Sequence, residues 1–234
     1  DQARIRDSAP SFRRDPCPLA PRCASSALAK EAPVIALPAP KPDILARRGE
    51  IIAALRALVP GDGVIEEAIR LKPYETDGLS AYRQMPLAVV LPSSTEQVAT
   101  VLRYCHEQGI RVVPRGAGTS LSGGALPLAD AVVIGLMRLN AIHEINYADR
   151  YAVVGAGVTN IGITKAVEAE GFFYAPDPSS QLACMIGGNV MMNSGGAHCL
   201  KYGVTANNLL GLKFVTIEGK VLDIGGTYLD AAGY

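Results

Sequence analysis

Two glycine-rich segments contain most of the residues that could bind a cofactor. The first, residues 114–124, holds four glycines, two serines and a threonine and directly follows a predicted strand. Glycine permits positive φ and close approach, so successive backbone N–H groups can turn towards an anion while the hydroxyls add further donors. This composition suits a diphosphate. A flexible hairpin loop is the alternative that the residues alone leave open.

The second segment, residues 176–203, contains two Gly-Gly steps, at 187–188 and 195–196. Asn189, Asn193 and Ser194 supply amide and hydroxyl partners suited to a polar heterocycle or a ribityl chain. A purely structural role for these glycines is the alternative. Because glycine destabilises regular structure by roughly 0.5 to 1 kcal/mol per site, its accumulation favours a functional role.

A nicotinamide cofactor is disfavoured. Gly116-x-Gly118 and Gly155-x-Gly157 each lack the third glycine of the dinucleotide-binding motif, since Leu121 and Asn160 stand in its place. A bound metal is also not predicted. Cys184, His198 and Cys199 lack zinc-ligand spacing, and His106 and His143 are interpreted as structural or solvent-facing.

Charge and hydropathy exclude several classes of partner. The chain has 22 basic and 22 acidic residues, which disfavours binding to nucleic acid or an anionic membrane by charge alone. The longest apolar runs, 87–91 and 131–136, are far shorter than the roughly 20 residues of a membrane span, so they predict buried strands. Five irregularly spaced cysteines fit no disulfide framework and indicate a reducing, cytoplasmic location.

Periodic apolar residues predict the elements that hold these segments. A helix over 51–59 ends at Pro60, a strand covers 87–91, and a helix capped by Ser93 or Ser94 ends at Gly109. Strands follow at 110–113 and 131–136, and the strand–helix–strand portion implies a parallel pair. Further strands are predicted near 142–147 and 151–154, a helix over 159–170, and a hairpin of 212–217 and 221–224 with Gly219 in its turn. The stretch 176–210 is predicted to be a long functional loop.

The chain divides at about residue 43. Eight prolines fall in residues 1–43, which predicts a disordered tail, with a targeting or docking arm as the alternative. The folded part is predicted to span 44–234, with one subdomain over about 44–138 and a second over about 139–234.

Five blocks of sequence carry a resemblance to a known family. They are Tyr74-Glu75-Thr76-Asp77-Gly78, the loop 115–125, Pro176-Asp177-Pro178-Ser179-Ser180, Ile186-Gly187-Gly188-Asn189-Val190 and His198-Cys199-Leu200-Lys201-Tyr202-Gly203. In this order they resemble the FAD-linked oxidases of the vanillyl-alcohol-oxidase and p-cresol-methylhydroxylase type, in the branch that oxidises 2-hydroxy acids. The resemblance implies an α+β fold, a FAD-binding domain of two α+β subdomains, incomplete at its C-terminus.

The resemblance also implies the site. The FAD diphosphate would be held by Arg115, Gly116, Ala117, Gly118, Thr119 and Ser120, and the flavin groove would be lined by Pro176, Asp177, Gly187, Gly188, Asn189 and Gly195. Some relatives attach flavin to a histidine in the first loop. This loop has Thr119 instead, so non-covalent FAD is expected. Met191 and Met192 depart from the Ala-Glu that similar relatives carry.

The implied activity is oxidation of glycolate to glyoxylate by hydride transfer to flavin N5, with D-lactate or D-2-hydroxyglutarate as alternative substrates. The implied partners are a second flavin-fold subunit and an iron–sulfur subunit, through which the protein could contact the inner membrane. Catalytic and metal residues are expected beyond Tyr234, so none is predicted in this chain. A truncated, non-catalytic flavin-binding module that oxidises no glycolate is a further alternative, and a FAD-dependent reductase of the cell-wall precursor pathway is a third.

Overall fold

The computed structural model describes residues 37–227, so residues 1–36 of the tail predicted over 1–43 lie outside the described part of the chain. The helices are α1 (Pro42–Ala46), α2 (Arg48–Leu58), α3 (Ala68–Leu71), α4 (Thr95–Glu107), α5 (Asn160–Val167), α6 (Ile186–Met192) and α7 (Cys199–Tyr202). The strands are β1 (Val64–Ile65), β2 (Ala88–Val90), β3 (Arg111–Arg115), β4 (Ala131–Gly135), β5 (Ile142–Asn146), β6 (Tyr151–Val154), β7 (Gly211–Val215) and β8 (Val221–Gly225). Short 3₁₀ helices cover Lys72–Tyr74, Glu168–Glu170 and Thr205–Asn208. The predicted mixture of helices and strands is confirmed.

The first half of the described chain is built on a four-stranded sheet in the order β1-β2-β4-β3. β1 pairs with β2 in antiparallel fashion, whereas β2 and β3 both run parallel to β4. The predicted parallel orientation of β2 and β3 is therefore confirmed, but these two strands do not pair with each other. β4 lies between them, because its continuous apolar sequence is buried on both faces.

Alternating side chains of the sheet divide the core into two layers. Ala88, Val90 and Val132 face α2 and α4, whose apolar residues Leu55 and Val101 are fully buried there. Val89 and Val133 point to the opposite face, where they pack with Ile65, Leu71 and Leu91. Because successive strand residues point to opposite faces, one short strand contributes to both layers.

α4 begins and ends where its sequence predicts. The Ser94 side chain accepts a hydrogen bond from Gln97 N at 3.3 Å and caps the helix. Gly109, with φ of +66°, follows the last turn. His106 lies exposed in that turn, as expected for a solvent-facing residue.

The second half contains two antiparallel ribbons, β5–β6 and β7–β8, with α5 to α7 between them in the chain. α5 is capped by Thr159, whose side chain accepts from Gly162 N. The β7–β8 turn contacts α4 of the first half, since Arg103 Nη2 donates to Gly219 O at 3.2 Å. The predicted hairpin, with Gly219 at its turn, is confirmed, while the division of the fold at residues 138 and 139 stays a prediction.

The first described residues are more regular than predicted. α1 starts at Pro42, two residues before the predicted start of the folded part, and Lys41 N donates to the buried Asp130 carboxylate at 3.0 Å. The division between tail and folded part at about residue 43 stays a prediction. The stretch 176–210 is also more regular than predicted, since it contains α6 and α7. Both helices are short and α6 includes two glycines, so neither produces a helical apolar pattern. Between residues 37 and 227 no helix is long and apolar enough to cross a membrane.

Candidate functional site

The first glycine loop leaves the sheet at the carboxyl edge of the parallel strands. β2, β3 and β4 all end there, with Arg115 paired to Gly135 at the end of the ladder. The loop 116–125 follows β3 and the segment 136–141 follows β4. In open sheets this edge is where ligands bind, because the loops of several parallel strands meet there.

Arg115 joins the first glycine loop to the segment before β2. Its guanidinium donates to Thr76 O at 2.8 Å, Ala125 O at 3.2 Å and Pro73 O at 3.3 Å, and it lies 5.5 Å from the centre of the Tyr74 ring. Burial lowers the pKa of this guanidinium, and the nearby Asp77 carboxylate opposes that shift. The side chain therefore supports the loop from behind, and its predicted contact with a diphosphate stays a prediction.

Asp77 and Gly78 complete this support. The buried Asp77 carboxylate accepts hydrogen bonds from Leu79 N at 2.9 Å and Ala125 N at 3.2 Å. A Cβ at Gly78 would lie 2.7 Å from Ser120 O, so only glycine allows the two segments to approach this closely. The loop is thus held in one shape by its neighbour, in contrast to a free hairpin loop.

The loop presents unpaired backbone donors. The N–H groups of Ala117, Gly118 and Thr119 have no hydrogen-bond partner among residues 37–227, although all three residues are half-buried. Gly118 has φ of +74°, and a Cβ there would overlap with the Arg115 guanidinium. Half-buried donors without a protein partner are suited to an anionic ligand, because leaving them unsatisfied is unfavourable.

A second turn, between β6 and α5, packs against the segment that follows β4. A Cβ at Gly155 would overlap with Leu139 O, and one at Gly157 would overlap with Leu136 O. Gly187 N at the start of α6 donates to Ala156 O at 2.9 Å in the same turn. The Gly155-x-Gly157 pair therefore serves close backbone packing, which explains the glycines without a dinucleotide motif.

The second glycine segment is fixed by polar side chains at both ends. The buried Asn160 amide donates to Pro176 O at 3.0 Å. Asp177 accepts from the backbone N–H of His198 at 3.1 Å and lies 2.6 Å from His198 Nδ1. Its pKa is lowered, first by the backbone N–H of His198 and then by the imidazole. These contacts bring the Pro176 and His198 ends of the segment together.

Asn189 has an unsatisfied donor. Its side chain is 2% exposed, and its Nδ2 has no hydrogen-bond partner in the described chain. Nearby, Asn193 Oδ1 accepts from Ala206 N at 2.9 Å, and the backbone oxygen of Ser194 accepts from Thr205 Oγ1 at 2.7 Å. A buried amide without a partner is destabilising unless a ligand completes it, so Asn189 marks a place for an acceptor atom.

α6 brings the two glycine segments together. A Cβ at Gly116 would lie 3.3 Å from Met185 Cβ, and one at Gly124 would lie 3.6 Å from Met192 Sδ. Met185 precedes α6 and Met192 ends it, so the helix contacts the first loop at both ends. A depression of about 350 Å³ adjoins this contact and is lined by Met137, Asn140, Ile142, Gly157, Val158, Thr159, Gly162 and Met185.

The two predicted groups of site residues are linked through α6, and their members differ in surroundings. Residues 116–120 lie half-buried at the sheet edge, and Gly187 lies at the contact between α6 and the 155–158 turn. A Cβ added at Gly188 would meet nothing within 4 Å, whereas one at Gly195 would lie 3.1 Å from Val204 Cγ1. The predictions for individual cofactor contacts, from Arg115 to Gly195, stay predictions.

Sequence reasoning did not identify several residues that shape the site. Asp77 and Gly78 support the first glycine loop, and Asn160 holds the start of the second glycine segment. Met185 lies between these two segments. Asp77-Gly78 belongs to the first of the five blocks that carry the family resemblance. Its Asx-turn composition could have indicated a fixed turn. Asn160 offered a weaker clue, as a polar residue at the start of an amphipathic helix.

The fold and these loops define a domain of flavoproteins. Residues 86–225 match the model of the FAD binding domain family, and the chain belongs to that family. FAD is thereby the cofactor of the domain, and the structure fits it. Unpaired N–H groups at residues 117–119 suit a diphosphate, and the orphaned Asn189 amide offers a donor for a polar ring system.

Three curated relatives show which members of this family the chain is similar to. The chain is 50% identical over 187 residues to glycolate oxidase subunit GlcD of Escherichia coli (strain K12), covering 80% of this chain and 38% of that protein. It is 41% identical over 162 residues to GlcD of Bacillus subtilis (strain 168), with 69% and 34% covered. D-2-hydroxyglutarate dehydrogenase of Xanthomonas citri pv. viticola is 35% identical over 184 residues, with 78% and 39% covered. The chain thus spans less than two fifths of each of these relatives.

Two solved structures share the fold. Alkyldihydroxyacetonephosphate synthase superimposes with a TM-score of 0.70 at 20% identity and covers 84% of this chain and 38% of its own. p-Cresol methylhydroxylase, crystallised with substrate bound, gives a TM-score of 0.62 at 25% identity, with 77% and 36% covered. The predicted α+β FAD-binding fold of the p-cresol-methylhydroxylase type is confirmed.

Proposed function

We propose that this chain is the FAD-binding part of a flavin-dependent dehydrogenase of D-2-hydroxy acids, with glycolate as substrate and glyoxylate as product. The observation that carries the proposal is the 50% identity, over 187 residues, to a glycolate oxidase subunit. The likeness to a D-2-hydroxyglutarate dehydrogenase keeps that substrate, and by the family resemblance D-lactate, as the second candidate.

The residues of the chain bind and orient the cofactor. The unpaired N–H groups of residues 117–119, with the Thr119 and Ser120 hydroxyls, would hold the FAD diphosphate. Asn189 would donate from Nδ2 to an acceptor on the flavin ring system or ribityl chain. Gly187, Gly188 and Gly195, with the Pro176-Asp177 turn, would form the groove. Binding is non-covalent, since the first loop carries Thr119 where some relatives carry the attached histidine.

When bound, FAD supplies the hydride acceptor, N5, for the hydrogen at C2 of the hydroxy acid. The protein fixes the cofactor's orientation, because Arg115 and Asp77 hold the first loop in one shape and its donors are in place before the cofactor binds. We further propose cytoplasmic location and assembly with a second flavin-fold subunit and an iron–sulfur subunit, as the likeness to an oxidase subunit supports.

An absorbance spectrum after incubation with FAD and desalting tests the cofactor proposal. Retained flavin bands that acid releases are expected. Asn189→Ala should weaken FAD binding about tenfold by removing one donor to a buried acceptor. Asn146→Ala, in the exposed β5–β6 turn, is the matched control and should leave affinity unchanged. A colourless chain, or equal affinity for both variants, would contradict the proposal.

The substrate is tested by anaerobic bleaching of the flavin in the natural protein that carries this sequence. Glycolate, D-lactate and D-2-hydroxyglutarate are compared at equal concentration. Fastest bleaching by glycolate is expected. Faster bleaching by D-2-hydroxyglutarate would replace glycolate by the second candidate and leave the FAD site unaffected.

A further inference from the structure

Asp177 and His198 form a pair that no packing requirement explains. Asp177 Oδ2 lies 2.6 Å from His198 Nδ1, and Asp177 Oδ1 accepts from the backbone N–H of the same histidine at 3.1 Å. The His198 side chain is 67% exposed, so it buries little surface and contributes little to a core. Packing of the core therefore does not account for this short hydrogen bond between a carboxylate and an exposed imidazole.

The Asp177–His198 pair joins two segments of the chain that lie in close contact, the turn at 176–178 and the Gly195-Gly196 step. A Cβ at Gly196 would overlap with both the backbone O and the Oδ1 of Asp177. The Pro176–Pro178 turn thus rests directly on the Gly195-Gly196 step. Asn160 holds the other side of the turn through Pro176 O. Without the His198 bond, this turn would be tied down on one side by Asn160 and on the other by a single backbone N–H.

We propose that His198 is a positioning residue, which clamps Asp177 onto the Gly195-Gly196 step and so fixes the width of the groove in the second glycine segment. That the groove holds flavin rests on the proposed function. The clamp itself is a property of the chain with or without cofactor. For a neutral imidazole the geometry requires the proton on Nδ1, because the carboxylate only accepts.

The charged surroundings of the carboxylate are simple. Among the described residues, His198 is the titratable side chain that acts on Asp177. Lys201 belongs to the same short helix as Cys199 but lies over the Tyr202 ring, 4.9 Å from its centre. The side-chain part of the clamp therefore depends on Asp177 and His198, and a substitution at His198 removes it while the backbone N–H bond to Asp177 Oδ1 remains.

Substitutions at His198 test the clamp through affinity for FAD. His198→Ala removes the side-chain donor and should weaken binding about fivefold, the usual scale of one partly exposed, charge-assisted hydrogen bond. His198→Asn keeps an N–H donor near the Nδ1 position and should restore most of the affinity. His143→Ala, at an exposed histidine of β5, is the matched control and should have no effect. Equal affinity of the Ala and wild-type chains would overturn the proposal.

A second measurement is independent of the cofactor. The pKa of Asp177, followed by carboxyl ¹³C NMR, lies below its usual range in the wild-type chain because His198 donates twice. The clamp is therefore complete above about pH 4, the ordinary range of an aspartate, and is lost as pH falls through the lowered pKa. His198→Ala should raise this pKa towards the ordinary range, and His198→Asn should keep it low.

The two measurements separate the two proposals. If the wild-type chain binds no FAD while the Asp177 pKa responds to His198→Ala as expected, the proposed function fails and the clamp stands. If FAD binds with equal affinity to the wild-type and His198→Ala chains, the clamp fails, and an Asp177 pKa that does not respond to His198→Ala also contradicts it. Amide hydrogen exchange at residues 194–200 should rise at least severalfold in the Ala variant, and unchanged protection there would also count against the clamp.

Discussion

At the scale of single residues, one buried guanidinium determines the shape of the first glycine loop. Arg115 connects β3 to three carbonyl oxygens, of Pro73, Thr76 and Ala125. These acceptors belong to two separate parts of the chain. The Arg115 side chain therefore supplies hydrogen bonds to carbonyl groups that have no regular helix or strand partner. The loop can then leave its own N–H groups unpaired without collapsing onto itself.

We expect Arg115→Met to lower the free energy of unfolding by about 3 kcal/mol, because it leaves several half-buried carbonyls without donors. Urea denaturation followed by circular dichroism measures this. Arg70→Met is the control, since Arg70 is half exposed and pairs with Glu67, the residue before α3. It should change stability by less than about 0.5 kcal/mol. A loss for Arg115→Met no larger than that for Arg70→Met would contradict the structural role.

Asn189 should show the opposite balance between stability and binding. Its buried Nδ2 is unsatisfied in the described chain, so Asn189→Leu should leave the free energy of unfolding unchanged or raise it by about 1 kcal/mol. FAD affinity of the same variant should fall. A large loss of stability without cofactor would mean that the amide has a structural partner. Thermal unfolding with and without FAD measures both effects.

At the scale of elements, the β7–β8 turn and α4 tie the two halves of the described chain together. Arg103 donates to Gly219 O, and a Cβ at Gly219 would overlap with Ala99 O. Charges add to this contact, because His106 and Lys220 are among the groups that lower the pKa of Glu218, after its hydrogen bonds to Thr216 and its own backbone. The last ribbon is therefore docked on a helix that belongs to the first sheet.

Gly219→Ala should destabilise the chain by about 3 kcal/mol. About 1 kcal/mol comes from the positive φ of +75°, and the remainder comes from the overlap with α4. Gly61→Ala is a matched control, because Gly61 also has φ of +75° but has nothing within 4 Å of the added Cβ. It should lose only the conformational part. Equal losses in urea denaturation would mean that the ribbon is not held by this contact.

Elements were predictable from the sequence where local chemistry decides them. α4 has a serine cap, an apolar face and a closing glycine, and its observed bounds follow those residues. α6 was not predictable, because Gly187 and Gly188 have low helix propensity and the helix is formed by contacts to distant chain. Its first N–H groups donate to Val158 O and Ala156 O, which lie some 30 residues earlier in the sequence.

At the scale of the whole molecule, the order of the strands and the partners of the side chains could not be predicted from the sequence. The sequence indicated that β2 and β3 are parallel but not that β4 lies between them, since pairing depends on which strand can be buried on both faces. Both glycine-rich segments could be singled out from composition, and their contacts with a cofactor stay predictions. The Arg115 guanidinium packs beneath the first loop and His198 holds the second, and both depend on contacts across 10 to 42 residues that spacing alone does not reveal.

Opening of the core within residues 37–227 can be measured through the reactivity of one buried cysteine. Cys105 on α4 is fully buried against the sheet, and burial raises the pKa of its thiol to about 12. Because the thiolate is the reactive form, iodoacetamide should modify the half-buried Cys199 first among the three described cysteines and reach Cys105 only when the core opens. All five cysteines should react at similar rates in urea.

This labelling connects the cofactor site to global stability. A ligand that binds only the folded chain raises the free energy of unfolding by about 2.7 kcal/mol at a free concentration of 100 times Kd. If the core and the glycine loops open together, FAD at that concentration should slow labelling of Cys105 by about 100-fold, and labelling of Cys199 should slow less. Mass mapping of peptides measures each rate. A Cys105 rate that is insensitive to FAD would mean that the sheet and the cofactor loops unfold independently, although Arg115 and Asp77 connect them.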